Sequence, residues 1–277
     1  MSGALTLDAR ATLADGHRMP WLGLGVYRSA AGGTCLRAVR HALALGYRHI
    51  DTAAFYGNEE DVGRAVRESG IAREAVFVVT KLWNSDQGYA QAIKACEASL
   101  KKLKLDYIDL YLIHWPEPDR RGDSWRALVE LRKQGKCRSI GVSNYTIAHL
   151  EELMASSDVV PAVNQVEFSP FLFQRKLLDF CRQRAIQLEA YCPLTRGAKL
   201  GNPAVLAIAR RCGRTPAQVL LRWALQHEVV AIPKSAQPVR IEENAGIFDF
   251  TLDERDMGAL DGLDAGYRAC WDPTNVR

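Results

Sequence analysis

Short apolar runs recur along this chain, and each is separated from the next by a longer segment with helical spacing. Runs at residues 47–51, 76–80, 107–113, 139–142, 162–166, 187–191, 229–232 and 246–248 are rich in Val, Ile, Leu and Tyr. Apolar side chains at helical intervals mark 33–45, 59–68, 89–103, 125–134, 147–156, 174–183, 203–211, 216–227 and 253–260, with a short helical turn near 239–243. Strand and helix in alternation require a parallel sheet, because parallel neighbours need a crossover between them. Eight such units in 277 residues fit a closed (β/α)8 TIM barrel better than an open doubly wound sheet. No G-x-G-x-x-G fingerprint follows the first strand, which also disfavours a Rossmann fold. The sequence predicts one α/β domain over residues 1–277, with no linker, repeat or low-complexity segment.

Residues 5–20 read as a β-hairpin closing the bottom of the barrel. Leu5-Thr6-Leu7 pairs with Arg18-Met19-Pro20 around an Asp15-Gly16 turn in this reading. Trp21 to Tyr27 then follows a tight, glycine-bearing path. Gly46 is placed to cap the helix before the run at 47–51, and Thr215-Pro216 to start the helix at 216–227.

Charge and composition remove several functions. Net charge is +4, and Lys and Arg are dispersed, so nucleic acid has no electrostatic footprint; an anionic small ligand is compatible. No stretch approaches 18 apolar residues and the N-terminus lacks a signal-like pattern, so no membrane partner is expected. The seven cysteines include no C-x-x-C pair and no zinc spacing, so no metal is expected. A cytoplasmic protein with reduced thiols is the expectation. No heptad or long apolar stripe calls for assembly, and a monomer is expected.

A parallel barrel brings every strand's C-terminal end to one mouth, where polar residues read as functional. Those ends supply Asp51, Lys81, His114, Ser143 with Asn144, Gln165, Tyr191, and Lys234 with Ser235. Taken alone, Lys81 reads as a solvated loop residue and His114 as a structural histidine. Convergence of so many polar ends on one rim favours a site. Tyr56 follows Asp51 by five residues, in a turn closed by Gly57-Asn58. Its phenol has an ordinary pKa of about 10, which a nearby Lys81 is expected to lower. Asp51 is expected to hold Lys81 charged, and His114 to polarise a carbonyl oxygen. Such a group protonates a developing alkoxide but has no hydride of its own, which a nicotinamide cofactor would supply.

Gly46-Tyr47-Arg48-His49-Ile50-Asp51-Thr52-Ala53, continuing to Tyr56-Gly57-Asn58-Glu59, resembles the first signature of the aldo-keto reductase superfamily. Val79-Thr80-Lys81-Leu82-Trp83, Leu112-Ile113-His114-Trp115-Pro116, Gly141-Val142-Ser143-Asn144 and Ile232-Pro233-Lys234-Ser235 resemble its later signatures in order. The resemblance covers nearly the whole chain and is strongest to short bacterial members, the 2,5-diketo-D-gluconate and methylglyoxal reductases. It implies an NADPH-dependent reductase of small carbonyl compounds (dicarbonyls, keto sugars, keto esters) with a tetrad of Asp51, Tyr56, Lys81 and His114, Tyr56 being the general acid. It implies that Ser143, Asn144, Gln165 and Tyr191 hold the nicotinamide, with Asp51, Cys192 and Leu194 near the cofactor. It implies that Gly25, Val26 and Tyr27 line the first loop beside it. Lys234, Ser235 and Arg240 would take the 2′-phosphate, with Glu243 and Asn244 near the adenine. The substrate would meet Tyr27, Tyr56, Trp83, His114, Trp115 and Trp271.

Two plainer readings stand beside these. Arg240 and Glu243 are spaced as an i, i+3 helix pair, and Trp271 suits simple packing at the rim. Cys192 occupies a place where the family commonly has serine; thiol sensitivity near the pyrophosphate stands there beside the plainer reading of a buried, inert cysteine. The short stretch from Thr195 to Gly201 offers little material to fold over a cofactor, so fast cofactor exchange is expected. A metal-dependent hydrolase would want a His-x-His pair, which His49-Ile50-Asp51 does not provide. A Schiff-base aldolase would need a neutral Lys81, against the effect of Asp51. The alternative from another class is a cofactor-sensing regulatory subunit with little turnover.

Overall fold

The computed structural model describes residues 6–276. Eight parallel strands form the barrel: β3 (Leu24–Gly25), β4 (His49–Asp51), β5 (Phe77–Leu82), β6 (Ile108–Ile113), β7 (Cys137–Ser143), β8 (Val163–Glu167), β9 (Gln187–Tyr191) and β10 (Val230–Ala231). Each pairs in parallel with the next. Parallel bridges Leu22↔Ala231 and Gly25↔Lys234 bring the last strand back to the first and close the cylinder. Around it lie α1 (Thr34–Ala44), α2 (Glu59–Arg67), α3 (Tyr89–Leu103), α4 (Arg121–Lys133), α5 (Ile147–Ala155), α6 (Arg175–Gln183), α7 (Pro203–Cys212), α8 (Pro216–Gln226), α9 (Pro238–Ala245) and α10 (Glu254–Asp261). The strands are buried on both faces, which is why they read as continuous apolar runs rather than as alternating ones.

Closure differs from the sequence expectation. Residues 246–248 form no strand; Ile247 is buried against the core but Gly246 only caps α9. The eighth strand is β3, within the path read as a glycine turn. A Cβ at Gly23 would lie 2.7 Å from the His49 ring, and one at Gly25 would lie 2.9 Å from the Ile232 carbonyl oxygen. Glycine therefore lets this backbone approach its neighbours, and Gly23 and Gly25 N–H groups donate to Ala231 and Pro233.

The hairpin also shifts. Its strands are β1 (Arg10–Thr12) and β2 (Arg18–Pro20), with Arg10 opposite Pro20. The turn is longer than two residues: Leu13 N–H donates to the His17 carbonyl, and Gly16 sits at φ +86°. Thr12 thus meets Arg18, and the register leaves Thr6 and Leu7 outside the ladder; Leu5 lies outside the described residues. Arg10 donates to the Ala75 carbonyl just before β5, and Pro20 faces His49 at the start of β4. The hairpin thereby covers the N-terminal end of the barrel.

Local signals placed several helices correctly. Thr215 and Gln218 form a capping box with Pro216 in the first turn of α8, and α3 has the expected bounds. Two strands run further than expected, so Lys81 lies inside β5 rather than after it, and Ser143 is the last residue of β7.

Candidate active site

The C-terminal ends of the strands gather most of the residues singled out above. Asp51 ends β4 and Lys81 is the fifth residue of β5, next to it in the sheet. Both are buried in the interior, Lys81 completely. The Lys81 ammonium donates to both Asp51 oxygens at 2.7 and 2.8 Å and to the Thr52 carbonyl at 2.8 Å. Its remaining contact is the Tyr56 hydroxyl at 3.4 Å.

Tyr56 is carried by a single 3-10 turn, Ala54–Tyr56, closed by Gly57 at φ +68°. Asn58, completing that turn, fixes its position: its side chain donates to the Val26 and Ser29 carbonyls and accepts from Thr52. Those bonds tie the Tyr56 turn to the loop bearing Tyr27, whose ring lies 4.9 Å from that of Tyr56. Val26 is fully buried and Gly25 is part of β3, so both position this loop.

Electrostatics here reverse one expectation. Burial, and then the Asp51 carboxylate, push the Tyr56 hydroxyl well above its ordinary pKa. The lowering expected from Lys81 does not prevail over these two effects. Burial likewise pushes the Asp51 carboxyl up, against the Lys81 cation and the Gln165 donor. His114 follows β6 and is held well below its ordinary value by burial and by Lys81. It is therefore a neutral imidazole, with Nδ1 buried and unpartnered. A protonated phenol beside a neutral imidazole can give a proton and a hydrogen bond to one oxygen.

Aromatic side chains wall this point. Trp83 lies edge to face with His114 at 5.2 Å, and Phe55 stacks on Trp83 at 3.8 Å. Phe55 is 43% exposed and was not anticipated; its position just before Tyr56 was the available signal. Trp115 and Trp271 meet edge to face at 6.2 Å, so the C-terminal segment does reach the rim.

Beside the tetrad lies a row of amide and hydroxyl groups. Asn144, at φ +66°, donates to the His114 carbonyl and to Ser143, and accepts from the Tyr191 hydroxyl at 2.7 Å. Ser143 donates to the Gln165 carbonyl. Gln165 gives both amide hydrogens to carboxyl oxygens, of Asp51 and Glu189, each at 2.8 Å, which leaves its side-chain oxygen able to accept. Cys192 and Leu194 follow, both partly exposed.

Further round the rim, Lys234 and Ser235 precede α9 and Arg240 lies in its first turn. No side-chain cap occupies this N-terminus. Lys234 and Arg240 are exposed and, among the described residues, enter no ion pair, so the Arg240–Glu243 pair does not form. Buried Asn244 has an unpartnered Oδ1. Two exposed cations at an uncapped helix start could receive an anion, and the orphaned polar atoms on His114 and Asn244 could meet a ligand spanning the rim. Among the described residues no group of three His, Cys, Asp or Glu could hold a metal, and no helix is long and apolar enough to cross a membrane.

Comparison with known proteins matches residues 23–265 to the Aldo/keto reductase family. Glyoxal reductase of Bacillus subtilis (strain 168) is 51% identical over 264 residues, 95% of this chain and 96% of that protein. A 9,11-endoperoxide prostaglandin H2 reductase of Trypanosoma cruzi (strain CL Brener) is 48% identical over 267 residues, 95% of this chain and 94% of that protein. A silkworm (Bombyx mori) aldo-keto reductase, AKR2E5, solved in complex with NADPH, superposes with a TM-score of 0.90 at 36% identity, covering 95% of this chain and 90% of that one.

Proposed function

This chain belongs to the aldo/keto reductase family, and on that premise we propose that it reduces small aldehydes and ketones, dicarbonyls such as methylglyoxal among them, using NADPH. The observation that carries the reading is the Tyr56 hydroxyl, 3.4 Å from a Lys81 ammonium whose other contacts are Asp51 and Thr52, beside neutral His114. The 51% identity to a glyoxal reductase supports the small-dicarbonyl class.

Ser143, Asn144, Gln165 and Tyr191 would hold the nicotinamide end of the cofactor. Asp51, Gly25, Val26, Tyr27, Cys192 and Leu194 lie along its course. Lys234, Ser235 and Arg240 would take the 2′-phosphate, with Glu243 and Asn244 beside the adenine. Bound there, NADPH would supply a hydride to the carbonyl carbon.

The residues of the chain do the rest. Trp83, Trp115, Tyr27 and Trp271 enclose the substrate and exclude water. Tyr56 and His114 fix the carbonyl oxygen, and Tyr56 delivers a proton to it as charge develops. Lys81, locked by Asp51, then stabilises the phenolate left on Tyr56 until water or buffer reprotonates it.

Consumption of NADPH, followed by absorbance with methylglyoxal, glyoxal and a set of aldehydes, tests this. Turnover with NADPH well above that with NADH is the expected result. Cofactor binding without consumption of any carbonyl would identify a cofactor-sensing protein instead.

A further inference from the structure

Two thiols meet beside the site without a role in the chemistry above. Cys192 is the first residue past β9 and stands at φ +48°. Cys270 belongs to the segment after α10. Their Sγ atoms are 3.2 Å apart, and the Arg196 guanidinium donates to Cys270 at 3.2 Å. Both residues are partly exposed. The C-terminal segment is held at this point: the Ala269 and Cys270 amides donate to the Glu167 carboxylate at 2.6 and 3.1 Å.

We propose that Cys192 and Cys270 are a redox modification site, joined into a reversible intrachain disulfide by peroxides. The contact is closer than van der Waals separation, a bridge needs only a small further approach, and both thiols are partly exposed beside the Arg196 cation, a setting of reactive thiols. The hydrogen bond from Cys270, together with Arg196, holds the Cys192 thiol below its ordinary pKa, while Cys270 is held above its own. Cys192 is thus the attacking sulfur and Cys270 the resolving one.

With hydrogen peroxide the steps balance. The Cys192 thiolate attacks one peroxide oxygen, the O–O bond breaks, and the departing hydroxide takes a proton to leave as water. Cys192 is then a sulfenic acid. The Cys270 sulfur attacks the Cys192 sulfur, the S–O bond breaks, and the second water carries off the Cys270 proton. Two thiols lose two protons and two electrons, and the peroxide gains them.

The protein holds its own control. Cys96 and Cys137 also touch, at 3.6 Å, but both are buried to within 1%, and their mutual contact and then burial hold Cys137 well above its ordinary value. Proximity without access predicts no reaction there. At the exposed pair, a bridge staples the segment bearing Trp271 to the end of β9, next to Tyr191.

The test treats the folded protein with a few equivalents of hydrogen peroxide, blocks remaining thiols, and maps tryptic peptides. The expected product joins Ala185-to-Arg196, which carries Cys192, to Ala269-to-Arg277, which carries Cys270, with loss of two titratable thiols out of seven. Dithiothreitol should release it, and Cys192→Ser and Cys270→Ser should each abolish it. Absence of that linked pair while other thiols oxidise would overturn the proposal. So would Cys192 passing directly to sulfinic acid with Cys270 left free, or a Cys96–Cys137 link forming first.

Discussion

In the middle of the barrel, His49 Nε2 lies 3.3 Å from Glu189 Oε1, and both side chains are fully buried. Burial pushes the Glu189 carboxyl up to about 8 and lowers His49 to about 3. The pair is therefore neutral at pH 7, a carboxylic acid facing an imidazole. His49 Nδ1 faces the Pro20 carbonyl at 3.4 Å and takes the proton, which leaves Nε2 to accept from the Glu189 O–H. That one hydrogen bond satisfies two atoms that otherwise have no partner. Through Gln165 the same row reaches Asp51, so the proposed tetrad stands on a polar column that runs from the mouth of the barrel to its hairpin.

The column makes stability pH-dependent. Glu189 has a raised folded pKa, so its contribution is full below the unfolded value of 4.5 and is lost as pH rises toward about 8. His49 has a lowered folded pKa, so its contribution is lost as pH falls from 6.5 toward about 3. Glu189→Gln keeps a donor for His49 and an acceptor for Gln165 but cannot ionise. Urea unfolding between pH 5 and pH 9 should show wild-type stability falling by roughly 3–5 kcal/mol more than that of the variant. Parallel profiles for the two proteins would show that Glu189 is already charged at neutral pH.

Removing the Tyr56 hydroxyl should strike the chemical step alone. Tyr56→Phe should lower kcat by about a hundred to ten thousand fold and leave NADPH binding, followed by fluorescence quenching, nearly unchanged. In the wild-type protein the raised Tyr56 pKa keeps the phenol protonated. Reduction should thus hold steady through neutral pH and decline only in alkali, where the donor ionises. A decline centred near pH 7 would point to a different acid.

Discrimination between cofactors should reside at the start of α9. Among the described residues Lys234 and Arg240 enter no ion pair there, so their charge is available to a phosphate. Arg240→Ala or Lys234→Ala should raise KM for NADPH by roughly ten to a hundredfold, the scale of one charged hydrogen bond, with little change for NADH. Steady-state kinetics with both cofactors decide it; equal losses would place the 2′-phosphate elsewhere.

How much of this was legible in the residues follows from where each signal resides. The barrel was, because seven of its eight buried parallel strands leave continuous apolar runs and their crossovers leave helical spacing. The grouping of the four proposed tetrad residues was, because Asp51, Lys81 and His114 sit at or near strand ends and Tyr56 sits in a turn close by. The strand that closes the cylinder was not: β3 is two residues long and shows only as glycine, whose meaning depends on how near Ile232 comes. His49 and Glu189 were hidden too, since each sits in an apolar run and gains meaning from a partner on a distant strand. Cys270 was hidden for the same reason, 78 residues from Cys192.

Glycine also sets the spacing between helices, and here a usual rule should invert. In a helix, Gly→Ala ordinarily stabilises by about 0.5–1 kcal/mol, because alanine loses less conformational freedom on folding. Gly258, within α10, has nothing within 4 Å of a Cβ built on it, and Gly258→Ala should follow that rule. Gly63, within α2, is different: its Cβ would lie 1.9 Å from the Leu103 carbonyl oxygen at the end of α3. That oxygen belongs to the backbone and also accepts from Arg67, so it has little freedom to yield. Gly63→Ala must push the two helices apart and open the contact beneath them, at a cost of about 1–3 kcal/mol or more. Asn58, which holds the Tyr56 turn, is the N-cap residue of this helix, and Glu59 at its start accepts from Thr80 of β5. Gly63→Ala should therefore lower both the urea midpoint and kcat, while Gly258→Ala raises the midpoint and leaves kcat alone. Equal midpoints for the two variants would mean that α2 and α3 do not pack at this distance.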